Sequence, residues 1–137
     1  MLLGGDGRFF IDQASAYASE REVFGRKIGE NQGVQFQIAR AHVQLSAAAL
    51  MVDDAAGKFD AGEACGTEAN MAKMLASEAS WYAADMAVQT HGGFGFAEEY
   101  DIERKFRGTR LYQVAPISTN LILSNVATHV LGLPKSF

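Results

Sequence analysis

The chain has 137 residues, of which 48% are hydrophobic and 20% charged, and this globular mixture predicts one domain with a buried core. The formal net charge of −4 argues against non-specific nucleic-acid binding, and no apolar run is long enough to span a membrane. The single cysteine, Cys65, cannot form an internal disulfide, and the first residues lack a signal-peptide pattern. Both features favour a cytoplasmic location.

The first predicted helix covers residues 6 to about 22. Asp6 is a plausible N-cap because its carboxylate can accept a hydrogen bond from the first turn. The segment from Phe24 to Glu30 contains two glycines and is predicted to be a loop. Apolar and small residues recur along one side of the helix, as expected for a buried face. This side consists of Phe10, Ala14, Tyr17 and Ala18 and can extend to Arg21.

The second predicted helix has the clearest pattern in the chain. Asn31 is expected to cap it, and it is expected to end near Ala61, just before Gly62. Steps of four and three residues form an apolar seam, which is typical of a helix that packs along its length. The seam consists of Val34, Ile38, Ala41, Leu45, Ala48, Val52, Ala55 and Phe59.

A third helix is predicted from a cap at Thr67 to an end at Gly92-Gly93. Its seam has the same spacing but small side chains, so we expect it to pack tightly against the second helix. The seam consists of Ala72, Ala76, Ala79, Ala83 and Met86.

The rest of the chain predicts two shorter helices. Residues 101 to about 110 form a charged helical segment. Pro116 stands at or just before a last helix that runs to about Leu131, where the missing N–H costs little. The strand-like run from Leu111 to Val114 is too short to build a sheet. Because short links join the helices, the sequence predicts an all-α fold: an up-down four-helix bundle with a short extra helix.

Five phrases of the sequence occur in the order and spacing of one known family. They are YASEREVFGRKIG (17–29), NQGVQF (31–36), QTHGGFGF (89–96), EYDIER (99–104) and RLYQV (110–114). Through them the chain resembles the C-terminal helical domain of acyl-CoA dehydrogenases, flavoproteins of fatty-acid and amino-acid oxidation. The resemblance covers essentially the whole chain but only about the last third of a family member.

The resemblance implies that residues 1–137 form a single C-terminal domain and that the family's N-terminal helical and middle β-domains are absent. It implies FAD as the cofactor, an acyl-CoA substrate bound through the missing domains, and a homodimer or homotetramer around this bundle. It also implies contact with the FAD of a neighbouring subunit. An electron-transferring flavoprotein is a further expected partner, and no nucleic acid, membrane span or metal is expected.

The resemblance places the first FAD contacts around the end of the first helix. Arg21 is expected against the pyrophosphate, since a guanidinium offers planar, permanently charged donors; the alternative is a solvated arginine. Phe24 is expected beside the adenine or flavin, or as a core anchor under the loop. Gln32 matches a position near the same cofactor, with solvent exposure as the alternative. Val23 stands where members often carry a hydroxyl, so one hydrogen bond is expected to be missing.

A second FAD contact is implied at the end of the third helix by Gln89, Gly92 and Gly93. The glycines allow the backbone to approach the phosphate and adenine side of the cofactor. A helix C-cap with a tight turn also explains these two glycines, but it does not explain Gly95. We interpret His91 as a structural residue rather than a catalytic base, because no partner for it is identifiable.

A third contact is implied at the start of the last helix. Ser118 and Asn120 match family positions that reach the FAD, and donors in the first turn of a helix are well placed for an anion. The alternative for Ser118 is a plain N-cap.

No catalytic residue is predicted. The family reaction needs a carboxylate base, and Pro116, which cannot accept a proton, stands where many members carry it. Some members carry the glutamate on the first helix of this domain, at a position that falls before Met1. Otherwise the parent protein has lost activity and keeps a binding role. Glu98 and Glu99 are candidates by residue type only, because such a pair beside a turn is usually solvated.

Two functions of different classes follow. In the first, the chain is the C-terminal domain of an FAD-dependent acyl-CoA dehydrogenase and is inactive alone, because the base and most of the flavin site are missing. In the second, it is a free-standing helical oligomerisation or docking module without catalysis. A helical regulatory domain with no flavin link would leave the phrases around Arg21 and Gln89 unexplained.

Overall fold

The computed structural model describes residues 2–135 and confirms the all-α bundle. Its helices are α1 (Leu2–Glu20), α2 (Gln32–Asp60), α3 (Gly66–His91), α4 (Ile102–Val114) and α5 (Thr119–Asn125), the last continued by a π-helical turn over Val126–Val130. Two antiparallel two-residue strands, β1 (Glu22–Val23) and β2 (Arg26–Lys27), follow α1. Short 3-10 turns cover Ile28–Glu30, Gly92–Phe96 and Glu98–Tyr100.

α3 is the central helix and packs against α1, α2 and α4. All five residues of its predicted seam are buried, and the small side chains let the neighbouring helices approach closely. The predicted packing of the third helix against the second is therefore confirmed. Fully buried core residues include Phe10, Ala14, Ala41, Ala83, Ala84, Ala87 and Ile102.

The predicted N-cap at Asp6 is wrong, because α1 already begins at Leu2 and Asp6 lies inside it. The Asp6 carboxylate instead accepts hydrogen bonds from Lys105 Nζ and from the Tyr112 hydroxyl, each at 3.0 Å. It therefore ties α1 to α4. A carboxylate early in an amphipathic segment gives the same sequence pattern whether it caps its own helix or bonds another one.

α2 confirms its predicted cap but only part of its predicted seam. The Asn31 side chain accepts a hydrogen bond from the Gly33 N–H at 2.8 Å. Four of the eight seam residues are buried, whereas Val52 and Phe59 are exposed, so the seam is buried over only part of its length. The buried residues are Ala41, Leu45, Ala48 and Ala55.

Two other predicted helix limits change. α3 begins at Gly66 after Cys65, so Thr67 lies in the first turn and is not the cap. α4 continues to Val114, so the strand-like run that begins at Leu111 is helical. Backbone hydrogen bonding within the helix overrides the β-propensity of this short run.

The last helix begins later than Pro116. Ser118 is its N-cap, since its hydroxyl accepts a hydrogen bond from the Leu121 N–H at 3.3 Å. Over the described range 2–135, no helix has both the length and the hydropathy required to cross a bilayer.

Candidate functional site

A surface groove of about 630 Å³ lies where the end of α1, the β1–β2 hairpin and the end of α3 meet. The ends of α1 and α3 are neighbours because an up-down order makes these two helices run in the same direction. The groove brings together five of the residues predicted from the sequence to contact a cofactor. These are Arg21, Val23, Gln89, Gly92 and Gly93.

Arg21 directly follows α1, and its backbone N–H still bonds the Tyr17 carbonyl at 2.8 Å. Its side chain is exposed, and the guanidinium carbon lies 5.6 Å from the centre of the Phe94 ring. Among the described residues no carboxylate pairs with this guanidinium. Its donors are therefore available to an anion in the groove.

The glycine turn at the end of α3 leaves its backbone open to the groove. Gly92 has φ +59°, which a side chain would disfavour, and its N–H bonds the Val88 carbonyl. A Cβ added at Gly92 or Gly93 would meet nothing within 4 Å. Gly95 differs, because a Cβ there would lie 3.1 Å from the Val88 carbonyl oxygen. The positive φ therefore explains Gly92, the close approach of the Val88 carbonyl explains Gly95, and open space lies beside both Gly92 and Gly93.

His91 is buried in the wall of the groove and is held in one tautomer. Its Nδ1 lies 2.8 Å from the Ala87 carbonyl oxygen, which can only accept, so Nδ1 carries the proton. Nε2 is then an acceptor, and it has no partner within the described part of the chain. Burial lowers the pKa of His91, and the bond to Ala87 opposes that shift only in part. The ring is therefore neutral at pH 7.

Aromatic rings surround His91. The Tyr17 ring stacks on it at a centroid distance of 4.3 Å, and the Tyr100 ring meets it edge-on at 5.2 Å. Both tyrosines also contact Phe94, the ring that lies under the guanidinium of Arg21. A cluster of ring contacts therefore runs from the His91 imidazole to the Arg21 guanidinium. This environment fits the structural interpretation of His91.

Phe24 and Gln32 do not line the groove. Phe24 and Gly25 form the tip of the hairpin with φ of +55° and +79°, a combination that suits the turn between two antiparallel strands. The Phe24 side chain is fully exposed, so the interpretation of Phe24 as a core anchor is wrong. Gln32 is the first residue of α2 and is also exposed.

Ser118 and Asn120 lie near the other end of α3. Lys73 donates a hydrogen bond to the Ile117 carbonyl, and this bond fixes the segment before α5 against the first half of α3. Along α3, Lys73 precedes Gln89 by sixteen residues, or about 24 Å. The residues predicted to contact the cofactor therefore do not all meet in one place in a single chain.

Within the described residues, no carboxylate lines the groove. Glu98 and Glu99 are both exposed in the 3-10 turn before α4, and Pro116 is exposed beside α5. The groove thus offers donors and open backbone to a ligand but no proton acceptor of the type the family reaction requires.

The sequence predictions missed several residues that line the groove. Tyr17 was placed only on the buried face of the first helix, and Ile28 only in a loop. The phrase QTHGGFGF did indicate Phe94, because a helix C-cap with a tight turn does not by itself require phenylalanines between the glycines. The other missed residues are Thr90 and Ala97.

The fold and the groove define a helical domain that presents an arginine, without a carboxylate partner in the described part of the chain, beside an open glycine turn, and this arrangement suits an anionic ligand. Residues 1–131 match the family model for the acyl-CoA dehydrogenase C-terminal domain. The chain therefore belongs to the acyl-CoA dehydrogenase family and corresponds to its C-terminal domain.

Relatives and solved structures agree with this assignment. Over 135 residues the chain is 41% identical to Acyl-CoA dehydrogenase FadE12 of Mycobacterium tuberculosis, which covers 97% of this chain and 35% of that protein. Butyryl-CoA dehydrogenase from Megasphaera elsdenii matches with a TM-score of 0.91 and 28% identity, covering 94% of this chain and 34% of that one. The FAD complex of PigA matches with a TM-score of 0.91 and 26% identity, covering 96% and 34%. The chain thus spans about a third of the length of these proteins.

Proposed function

We propose that the chain is the C-terminal domain of an FAD-dependent enzyme that dehydrogenates acyl-CoA thioesters between the α and β carbons. It contributes the oligomer core and FAD contacts, and it is inactive alone. The observation that carries this proposal is the groove in which Arg21 stands beside Gly92 and Gly93. The names of the relatives support the reaction class, and one matching structure is an FAD complex.

Three features of the groove fit the pyrophosphate and adenosine part of FAD. The guanidinium of Arg21 has no carboxylate partner in the described chain and can bind phosphate oxygens through two donors. The open backbone at Gly92 and Gly93 leaves room for close approach of a ligand. The buried Nε2 of His91 lacks a donor, and adenosine carries amino and hydroxyl donors.

The residues of the groove bind and orient the cofactor. Arg21 holds the pyrophosphate, and the Gln89 amide serves the adenine side as both donor and acceptor. Val23 supplies apolar contact without the hydroxyl found in many relatives. FAD, when bound, supplies the hydride acceptor. Because no carboxylate lines the groove in the described chain, the proton acceptor has to come from another part of the enzyme.

We assign the remaining predicted contacts to FAD that is bound between two copies of the chain. Phe24, Gln32, Ser118 and Asn120 lie outside the groove of one chain, so we assign them to FAD contacts completed by a neighbouring subunit. The assembly is a homodimer or homotetramer, acyl-CoA binds through further domains, and an electron-transferring flavoprotein accepts the electrons. The cytoplasmic location stays a prediction that cell fractionation tests.

Isothermal titration calorimetry of the chain with FAD tests the cofactor proposal. We expect saturable binding to the 137-residue chain. Arg21→Gln should raise the Kd about tenfold, because it removes a charge-assisted hydrogen bond of about 1.5 kcal/mol. Arg26→Gln is the matched control, since Arg26 is an exposed arginine of the same hairpin that does not line the groove.

The control should change the Kd less than twofold. Equal loss in both variants would show only a general charge effect, and absence of saturable FAD binding would contradict the proposal. In a separate assay with FAD, an acyl-CoA and an artificial electron acceptor, the chain should give no sustained turnover. Turnover would contradict the proposed inactivity.

One observation favours the second candidate, a helical oligomerisation or docking module. The face of α2 that points away from the core carries exposed apolar side chains at Phe36, Val43 and Leu50. This candidate predicts self-association without any FAD binding that depends on Arg21. The calorimetric comparison above therefore separates the two functions.

A further inference from the structure

Phe94 is a large apolar residue that the fold leaves partly open to solvent. It belongs to the 3-10 turn Gly92–Phe96, and its carbonyl accepts a hydrogen bond from the Ala97 N–H at 3.1 Å. Its ring centre lies 6.5 Å from that of Tyr17 and 6.0 Å from that of Tyr100. Phe94 nevertheless keeps 47% of its surface accessible and lines the groove. The ring is therefore supported by the protein and still reaches the groove.

The guanidinium of Arg21 lies over this ring. The guanidinium carbon is 5.6 Å from the ring centre, which is within the distance of about 6 Å at which an aromatic face attracts a cation. Arg21 follows the end of α1, whereas Phe94 lies in the turn after α3, so the contact joins two sides of the groove. The contact gives the arginine a packing partner at a position where it is otherwise exposed.

An aromatic ring can hold an arginine without neutralising its charge, and this distinguishes Arg21 from two arginines of α4. The Asp101 carboxylate holds Arg104 at 2.5 Å. The Glu103 carboxylate holds Arg107 at 3.0 Å. Within the described part of the chain, no carboxylate pairs with Arg21. Because a ring accepts none of the in-plane hydrogen bonds of a guanidinium, the donors of Arg21 stay available to an anion.

We propose that Phe94 is a positioning residue for Arg21: its ring holds the guanidinium beside the glycine turn and leaves the charge and the donors available to a phosphate group in the groove. This inference rests on the proposed function, in which that group is the pyrophosphate of FAD. A side chain that is already ordered loses less conformational entropy when a ligand binds. The contact therefore raises the affinity for the ligand although Phe94 acts through Arg21.

The alternative role of Phe94 is packing of the ring cluster with Tyr17 and Tyr100 alone. In that case replacing Phe94 would lower stability, and any loss of ligand affinity would be independent of Arg21. Phe96 is the matched control, since it lies in the same 3-10 turn, is 69% exposed and does not line the groove. Among the residues that the structure describes, Phe96 makes no ring or cation–π contact.

A double-mutant cycle, measured by calorimetric titration of the chain with FAD, tests the positioning role. Phe94→Leu should raise the Kd about threefold to tenfold, because it removes the ring under the cation. Phe94→Tyr, which keeps an aromatic face, and Phe96→Leu should each change the Kd less than about twofold. In the Arg21→Gln background, Phe94→Leu should also change it less than about twofold, since no cation is left for the ring to hold. If the two losses simply add, Phe94 acts without Arg21 and the inference is overturned.

A second measurement needs no FAD. In side-chain NMR spectra of the isotopically labelled chain, the Arg21 Nε–H resonance is assigned by its loss in Arg21→Gln. It should show the upfield ring-current shift expected over an aromatic face. Phe94→Leu should remove this shift, whereas Phe94→Tyr and Phe96→Leu should keep it. Circular dichroism establishes that each variant is folded. An unshifted resonance in the wild type overturns the inference.

Failure of the inference and failure of the proposed function give different results. If Arg21→Gln weakens FAD binding and Phe94→Leu does not, the cofactor site stands and the positioning role is overturned. If FAD does not bind at all, the proposed function fails, and the NMR comparison alone decides whether Phe94 holds Arg21.

Discussion

At the scale of single residues, the fold determines the protonation state of His91, which the sequence alone does not predict. His91 is 3% exposed, whereas His42 and His129 are exposed. The bond from Nδ1 to the Ala87 carbonyl fixes the tautomer, and the stacked ring of Tyr17 covers one face of the imidazole. A protonated imidazole there would lose hydration and place a proton on Nε2, which has no acceptor beside it in the described chain.

We predict that stability falls between pH 7 and pH 5 because of His91. Burial lowers the pKa of His91 in the folded state, whereas the unfolded chain has the ordinary value of about 6.5. The unfolded state therefore binds more protons in this window, and the free energy of unfolding decreases as the pH drops below that value. Urea denaturation at pH 7.5 and pH 5.0 measures the difference.

His91→Phe should reduce this pH dependence because it keeps a ring beside Tyr17 and removes the titrating group. His42→Gln is the control and should keep the wild-type dependence. The pKa values of Glu68 and Asp101 are lowered by hydrogen bonds to Lys58 and Arg104, so these groups titrate below the window. An undiminished dependence in His91→Phe would assign the effect to another group.

At the scale of elements, periodicity predicted the helices, while caps and turns were predicted less well. The alanine seam of α3 could be predicted because small residues at steps of three and four have few explanations other than close packing. Asp6 and Thr67 could not be assigned, since a polar residue near a helix start can cap that helix or bond elsewhere. The seam through Leu45 accounts for the apolar residues on only one face of α2, so the exposed apolar side chains on its other face were not predicted.

Asp6→Ala should lower the free energy of unfolding by about 2 kcal/mol. It removes an ion pair with Lys105 and an acceptor for the Tyr112 hydroxyl at a partly buried contact. Asp12→Ala is the matched control, since Asp12 is an exposed aspartate of α1, and it should change stability by less than about 0.5 kcal/mol. Thermal and urea unfolding measure both. Equal effects would mean that the tie between α1 and α4 adds nothing.

Two glycine substitutions should act in opposite directions. An added Cβ at Gly29 would lie 2.7 Å from the Ala18 backbone oxygen, so Gly29→Ala should destabilise the domain by about 1–3 kcal/mol. At Gly108, an exposed helical position in α4, a Cβ meets nothing within 4 Å, so alanine should stabilise by about 0.5–1 kcal/mol. Urea denaturation of the two variants checks the signs. A stabilising Gly29→Ala would show that α1 does not approach this turn so closely.

At the scale of the whole molecule, helix order explains which predicted site residues meet. In an up-down bundle α1 and α3 run in the same direction, so Arg21 and Gly92 come together at their ends. The same order sends α4 back and places Ser118 near the start of α3. The motif match could not predict this division, because it carries contacts over without saying which copy of the chain makes each of them.

The division predicts different effects on FAD binding at chain concentrations low enough for the protein to be monomeric. Arg21→Gln should weaken FAD binding, whereas combining Ser118→Ala with Asn120→Ala should change the Kd less than twofold, because that group lies about 24 Å away along α3. Ser118→Ala should still cost about 1 kcal/mol of stability through the lost cap of α5. Calorimetry and urea denaturation of the same samples separate the two effects. If both variants lose FAD affinity to a comparable degree, the two groups belong to one site within one chain. If the combined Ser118→Ala and Asn120→Ala variant loses FAD affinity only in the assembled oligomer, two copies of the chain share the cofactor.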